Sequence, residues 1–218
     1  MSTGPGLRER KKERTRAALI DAAAELFSRK GYDETTVAEI AAAADVSTRT
    51  FFSYFRTKEE VLFVDNAERL RIAQEEIRRR LPDDRPVDVL VRTAQRILAT
   101  GTFTSELFTR LAPLRTRLIL GNPGLQGYAL RMLLGGQTEL ARGLHEAFPD
   151  ELDEITAAAM VGAFVGALVA VIMQLFADLP EPQEAILADR DRLLTELRRG
   201  MDVVVDGLAA VGGPRADR

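Results

Sequence analysis

Residues 35–63, TTVAEIAAAADVSTRTFFSYFRTKEEVLF, constrain this chain more than any other stretch, because they specify where helices begin and end. Thr36 followed by Glu39 has the spacing of a capping box, in which each side chain satisfies a backbone N–H left open at a helix start. Val37, Ile40, Ala41 and Ala44 then share one helical face, and Asp45, Val46 and Ser47 interrupt the run. Ser47 is a good N-cap for a second short helix over residues 48–54. In that helix Phe51 and Phe55 stand four apart and share a buried face. Thr57 and Glu60 repeat the capping-box spacing and predict a third helix starting near Lys58. Helices this short do not hold together in isolation, so the segment must be packed as a unit.

The chemistry of the second short helix points outward. Thr48, Arg49 and Thr50 occupy its first turn, where a recognition helix presents side chains to base edges in the major groove of DNA. Arg49 is the candidate base reader, since a guanidinium grips guanine in a bidentate fashion. Thr48 and Thr50 suit bases or phosphates. Thr36 and Ser47 each have two readings, a helix cap alone or a cap that also touches phosphate. Phe52 is either core or an apolar contact with the DNA backbone or a thymine methyl. Lys58, with open N–H groups around it at a helix start, is placed where a phosphate would sit.

The segment resembles the DNA-binding domain of the tetracycline-repressor (TetR/AcrR) family of one-component regulators, from about Thr15 to Leu62. The resemblance runs through Ala22, Ala23, Leu26 and Phe27, then Gly31-Tyr32, Thr36-Val37, Ile40, Ala41 and Val46-Ser47. It continues through residues 50–55 (TFFSYF) and 58–62 (KEEVL). Two positions depart from the family pattern. Asp45 stands where glycine is usual, and aspartate tolerates the left-handed backbone that a glycine there implies. Phe52 stands where tyrosine is frequent and has no hydroxyl to offer a phosphate, which shifts that role to Tyr54. The resemblance implies an all-α, nine-helix architecture. A three-helix helix-turn-helix head, residues 1–56, precedes a six-helix ligand-binding and dimerisation body, residues 57–218. It also implies a homodimer on double-stranded operator DNA, and a small-molecule effector of unidentified structure. No cofactor and no metal are expected.

Charge agrees with this division. Arg8, Arg10, Lys11, Lys12, Arg14 and Arg16 oppose only Glu9 and Glu13, an excess of four positive charges in a chain whose net charge is −3. Such an arm either enters a minor groove or is the charged start of the first helix. The chain has no cysteine, so disulfides and thiolate metal sites are excluded, and a reducing cytoplasm is the expected compartment. The start of the chain is polar and basic, without the apolar run of a secretory signal.

Beyond Lys58 the apolar residues recur at helical spacing. Helices are expected at 58–81, 87–99, 105–120, 124–148, 151–177 and 183–211, with a loop at 100–104 and a tail at 212–218. Residues 157–173 contain no polar side chain and include Gly162 and Gly166, a pair able to bring membrane helices together. This supports a contrasting reading, a membrane-associated or purely structural small helix bundle that binds no DNA. The run is shorter than the roughly 20 residues a span needs, rich in alanine and glycine, and flanked by acids. The preferred reading is a helix buried on nearly all faces.

In the resembled family the last two long helices make the dimer, which assigns Gly162, Gly166, Leu194, Leu197, Met201 and Val205 to that interface. Candidate ligand-pocket residues are Phe103, Phe108, Leu111, Met132, Met160, Phe164 and Met173, each of which also suits ordinary core. His145, the single histidine, suits a ligand contact or a satisfied structural position. No nucleophile elbow, phosphate loop or metal-ligand spacing is present, and the chain is read as a non-enzyme.

Overall fold

A computed structural model of the chain describes residues 6–99, 106–177 and 190–209. They form nine α-helices and one 3-10 turn, with no strand among the described residues. Two compact units divide the chain at Val64 and Asp65.

The first unit contains α1 (Leu7–Lys30), α2 (Val37–Ala43), α3 (Thr48–Tyr54) and the 3-10 turn (Glu59–Phe63). Helix α1 ends at Gly31, whose φ of 89° lies in the region that favours glycine. Its apolar face, with Leu19, Ile20, Ala23 and Phe27 all at most 2% exposed, packs on α2 and on the 3-10 turn. Phe51 at 0% and Phe55 at 3% complete the core from α3.

The second unit contains α4 (Asn66–Arg78), α5 (Pro86–Ala99), α6 (Glu106–Gly121), α7 (Pro123–Ala147), α8 (Glu154–Ala177) and α9 (Arg190–Ala209). Its core gathers Ile77, Leu90, Leu144, Met160, Phe164 and Met201 from five of these helices. Asn122 starts α7 by accepting the Leu125 N–H at 3.0 Å, with Pro123 at the first helical position. Asp153 Oδ1 accepts the Thr156 N–H at 2.6 Å. That cap moves the start of α8 from the expected residue 151 to Glu154. Ion pairs tie α5 to α4 and to the segment between them: Arg92 pairs with Glu76 at 3.0 Å and with Asp84 at 2.7 Å, and Arg96 pairs with Glu76 and Glu75.

Three expectations are corrected. The helix predicted over 58–81 is broken into the 3-10 turn and α4, because Val61 and Leu62 are both fully buried in the first unit while α4 restarts behind Asp65. The Thr57–Glu60 capping box does not form; Glu60 reaches back to the Arg56 N–H at 2.7 Å instead. Helix α8 is not buried on nearly all faces. It is long and apolar enough to cross a membrane by length and composition, but 22% of its most apolar stretch is buried within the chain. Ile155 is 82% exposed, and Ala158, Ala159, Ala163, Gly166 and Ala170 also face outward. The expected loop at 100–104 and tail at 212–218 lie outside the described residues.

Glycine at position 200 has a specific cause. A Cβ there would stand 2.4 Å from Val171 Cγ2 on α8, so the closeness of α9 to α8 requires its absence. Gly200→Ala is therefore expected to lower stability by about 1 kcal/mol, because the clash with a β-branched neighbour outweighs the gain in helix propensity. A urea midpoint that does not fall would contradict this.

Candidate nucleic-acid interface and ligand cavity

The helix-turn-helix is held by local hydrogen bonds at its start and turn. Thr36 Oγ1 accepts the Glu39 N–H at 3.2 Å while Glu39 Oε2 accepts the Thr36 N–H at 2.9 Å, the predicted capping box. Lys30 also pairs with Glu39. The Lys30 contact, with the hydrogen bonds from Thr36, pushes the Glu39 carboxyl down to about 2, so the box is ionised throughout the neutral range. The turn places Asp45 at φ 54°, the left-handed conformation its glycine-like position implied. Asp45→Gly is expected to raise stability by up to about 1 kcal/mol, and Asp45→Val to lower it by about as much, in thermal unfolding. Equal melting points for the three proteins would refute this strain argument.

Ser47 Oγ accepts the Thr50 N–H at 3.1 Å and starts α3. Phe51 faces inward, its ring tilted against that of Phe55 with centres 5.6 Å apart. On the opposite side Thr48 and Arg49 are exposed, and Arg49 makes no ion pair among the described residues. Thr50 is half-buried, with its hydroxyl 2.9 Å from that of Ser47. Phe52 is 56% exposed with its ring edge-on to Phe51, so it extends the apolar core to the surface. Tyr54 is half-buried, whereas Thr36 and Ser47 are exposed. The arrangement presents a guanidinium and two hydroxyls from a helix whose rotation is locked by two phenylalanines.

Lys58 sits differently from its expected place. Its ammonium donates to the carbonyls of Tyr32 at 2.9 Å and Thr35 at 3.1 Å, and it lies 4.1 Å from the centre of the Tyr32 ring. Those bonds brace the link between α1 and α2. Tyr32 also donates its hydroxyl proton to Glu59 Oε1 at 2.5 Å. Arg16 is spent similarly, donating to the Val64 carbonyl at 3.2 Å and lying over Phe55. Arg8, Arg10, Lys11, Lys12 and Arg14 remain exposed on the first turns of α1, so the basic arm is helical from Leu7.

In the second unit α4, α5, α7 and α8 line a partly open cavity of about 230 Å³. Of the expected pocket residues, Met132 and Phe164 line it. Leu111 and Met160 are buried elsewhere in the unit, Met173 is half-buried off the wall, Phe108 lies on α6, and Phe103 lies outside the described residues. The polar wall residues are Asn66, Arg69, Thr93 and Gln137. None of them was singled out from the sequence, where a helix with Arg69 reads as surface. Arg69 pairs with Asp65, which also accepts from Arg115 Nη1 at 3.0 Å. Burial pushes the Asp65 carboxyl up, but Arg115 and Arg69 outweigh it and hold it below the usual carboxylate range. His145 Nδ1 donates to the Leu152 carbonyl at 2.8 Å and is a structural residue, away from the cavity wall.

Residues 19–63 match the model of a family described as bacterial regulatory proteins, tetR family. The similarity to the TetR family lies in this segment. The transcriptional regulator TcmR of Streptomyces glaucescens is 59% identical over 58 residues, 27% of this chain and 26% of that one. MftR of Mycobacterium tuberculosis is 32% identical over 135 residues, 61% of this chain and 65% of that one. The chain thus spans from about a quarter to just under two thirds of these relatives' lengths. Among solved structures, Thermus thermophilus FadR, a TetR-family repressor in complex with lauroyl-CoA, is 27% identical. It covers 93% of this chain and 100% of its own, with a TM-score of 0.53.

Of the residues assigned to the TetR-type interface between subunits, Gly162 and Gly166 meet nothing within 4 Å of an added Cβ, so nothing inside the chain requires glycine there. Met201 is 4% exposed and Val205 packs beside it, both against the chain's own core. Leu194 and Leu197 lie on α9.

Proposed function

We propose that this chain is a ligand-responsive, cytoplasmic transcriptional repressor without catalytic activity. It binds a palindromic operator as a homodimer and leaves it when a small molecule fills the cavity. The observation that carries the reading is α3, a capped seven-residue helix that presents Thr48 and Arg49 outward, with Thr50 half-buried beside them, from a core locked by Phe51. Arg49 reads a base, and Thr48, Thr50 and Tyr54 contact bases or phosphates. Thr36 and Ser47, exposed at the two helix starts, offer hydroxyls to phosphate, and Phe52 makes an apolar contact. Lys58 acts by bracing, through the carbonyls it already holds. The exposed basic turns of α1 add a salt-dependent attraction for the backbone.

A short recognition helix reads few bases, so a two-fold pair addressing half-sites about 34 Å apart is the economical arrangement. The outward face of α8 supports this, because a second copy laid over Ala159, Gly162, Ala163 and Gly166 would come close and remove apolar surface from water. Helix α4 follows the head directly in sequence and forms part of the cavity wall, and the FadR structure with lauroyl-CoA is an example of an effector-bound relative. Ligand control then requires only that the ligand prefer the conformation with weak DNA affinity.

The experiment is titration of the purified chain against its own upstream intergenic DNA at two salt concentrations. A specific complex that weakens steeply with salt is expected. Failure to distinguish that DNA from a scrambled duplex at either salt would refute the proposal.

A further inference from the structure

We infer that the cavity accepts a small amphipathic acid, a monocarboxylate with an aliphatic or single-ring aromatic body, whose carboxylate is met by Arg69. This rests on the reading of the cavity as the effector site.

The wall is apolar except for four residues, Asn66 and Arg69 together at the start of α4, Thr93 on α5 and Gln137 on α7. Sixteen of its twenty residues are apolar or glycine, and Arg69 is the one charged residue among those that line it. Thr93 is not available as a donor to a ligand, since its hydroxyl donates to the Val89 carbonyl at 2.8 Å. Asn66 and Arg69 stand three apart on the first turn of α4, so they share a face at the positive end of a 13-residue helix. No carboxylate lines the wall among the described residues, which disfavours a cationic ligand. A wholly apolar ligand would gain no polar contact from the Asn66 and Arg69 end. A carboxylate placed there receives charge-assisted hydrogen bonds from a planar guanidinium. Asp65, the carboxylate that orients Arg69, is shared with Arg115, and so holds the guanidinium in place while its own charge is divided between two cations.

Volume limits the body. The cavity, about 230 Å³, exceeds the roughly 150 Å³ of an apolar cavity that admits benzene. It falls below the roughly 300–1,000 Å³ usual for drug-sized ligands. A medium alkyl chain or one substituted ring fills such a space, which favours a free acid over a bulkier thioester. The free acid is therefore the form inferred.

The test is calorimetric titration of the full-length protein with octanoate, phenylbutyrate, octanol and lauroyl-CoA, with operator binding followed in the same preparations. Octanoate or phenylbutyrate is expected to bind at least about tenfold more tightly than octanol, the scale of one charge-assisted contact. Arg69→Gln should remove that preference while leaving octanol unchanged, and Arg69→Lys should retain much of it. Leu168→Trp, which fills the cavity, should remove binding of acid and alcohol alike. Equal affinity for octanoate and octanol, acid binding indifferent to Arg69→Gln, or binding of lauroyl-CoA alone would each overturn the inference. So would the absence of any binding while the protein still forms its specific DNA complex, a result that leaves the regulator reading intact. Should Arg69→Gln lose its helical circular dichroism, the acid-over-alcohol preference of the native and Arg69→Lys proteins decides.

Discussion

Phe51→Ala is expected to unfold the first unit and with it abolish the proposed operator binding. Phe51 is 0% exposed and packs against Phe55 with ring centres 5.6 Å apart, with Phe52 edge-on at 5.5 Å. Removing a fully buried phenyl group costs about 3–5 kcal/mol, the lost transfer energy plus the cavity left behind. The unit that must bear this loss ends at Val64, and a domain of that size has only about 3–10 kcal/mol in total. Helix α3 has seven residues and no means of standing alone, so its position fails with its anchor. Amide hydrogen exchange should show residues 19–63 losing protection while α7 and α8 keep theirs. Undiminished protection in α2 and α3 would show that the aromatic cluster is not what holds the head together.

Arg49→Ala should leave the fold unchanged and weaken specific DNA binding by about 1–3 kcal/mol, which is roughly fivefold to 150-fold. Arg49 is exposed and makes no ion pair among the described residues, so its loss disturbs no internal contact. The salt dependence separates two roles. A base contact leaves the slope of log K against log salt unchanged and relaxes specificity at one base position. A phosphate contact reduces that slope by about 0.9 and weakens all sequences alike. Fluorescence anisotropy with operator and scrambled duplexes at several salt concentrations reads both. Unchanged affinity for the operator would remove Arg49 from the interface.

What was legible in the sequence was local. Thr36 and Glu39, and Ser47 and Thr50, are three residues apart, so the hydrogen bonds that place α2 and α3 are decided by residues within one turn. The 48–54 boundaries of α3, the inward Phe51 and Phe55, and the left-handed turn at Asp45 follow from such short-range rules. The same rules misplaced the next element. Thr57 and Glu60 have the right spacing for a box, but the packing of Val61 and Leu62 into the head tightened the backbone into a 3-10 turn.

Tertiary structure decided everything that depends on partners far away in the chain. Lys58 reads as a free cation at a helix start, yet the carbonyls it holds lie 26 and 23 residues earlier. Arg16 finds its acceptor at Val64, 48 residues on. Arg69 reads as one more charged residue on a mixed helix, and only the convergence of α4, α5, α7 and α8 turns it toward a cavity. The apolar run of α8 is equally ambiguous in sequence, because apolar composition does not say which face a neighbour covers. Capping, turn conformation and helix period are set by bonds a few residues long and can be read from the order of residues. Which charges are spent inside, which face stays open and where a ligand fits depend on how separated helices meet, and those the packed structure alone decided.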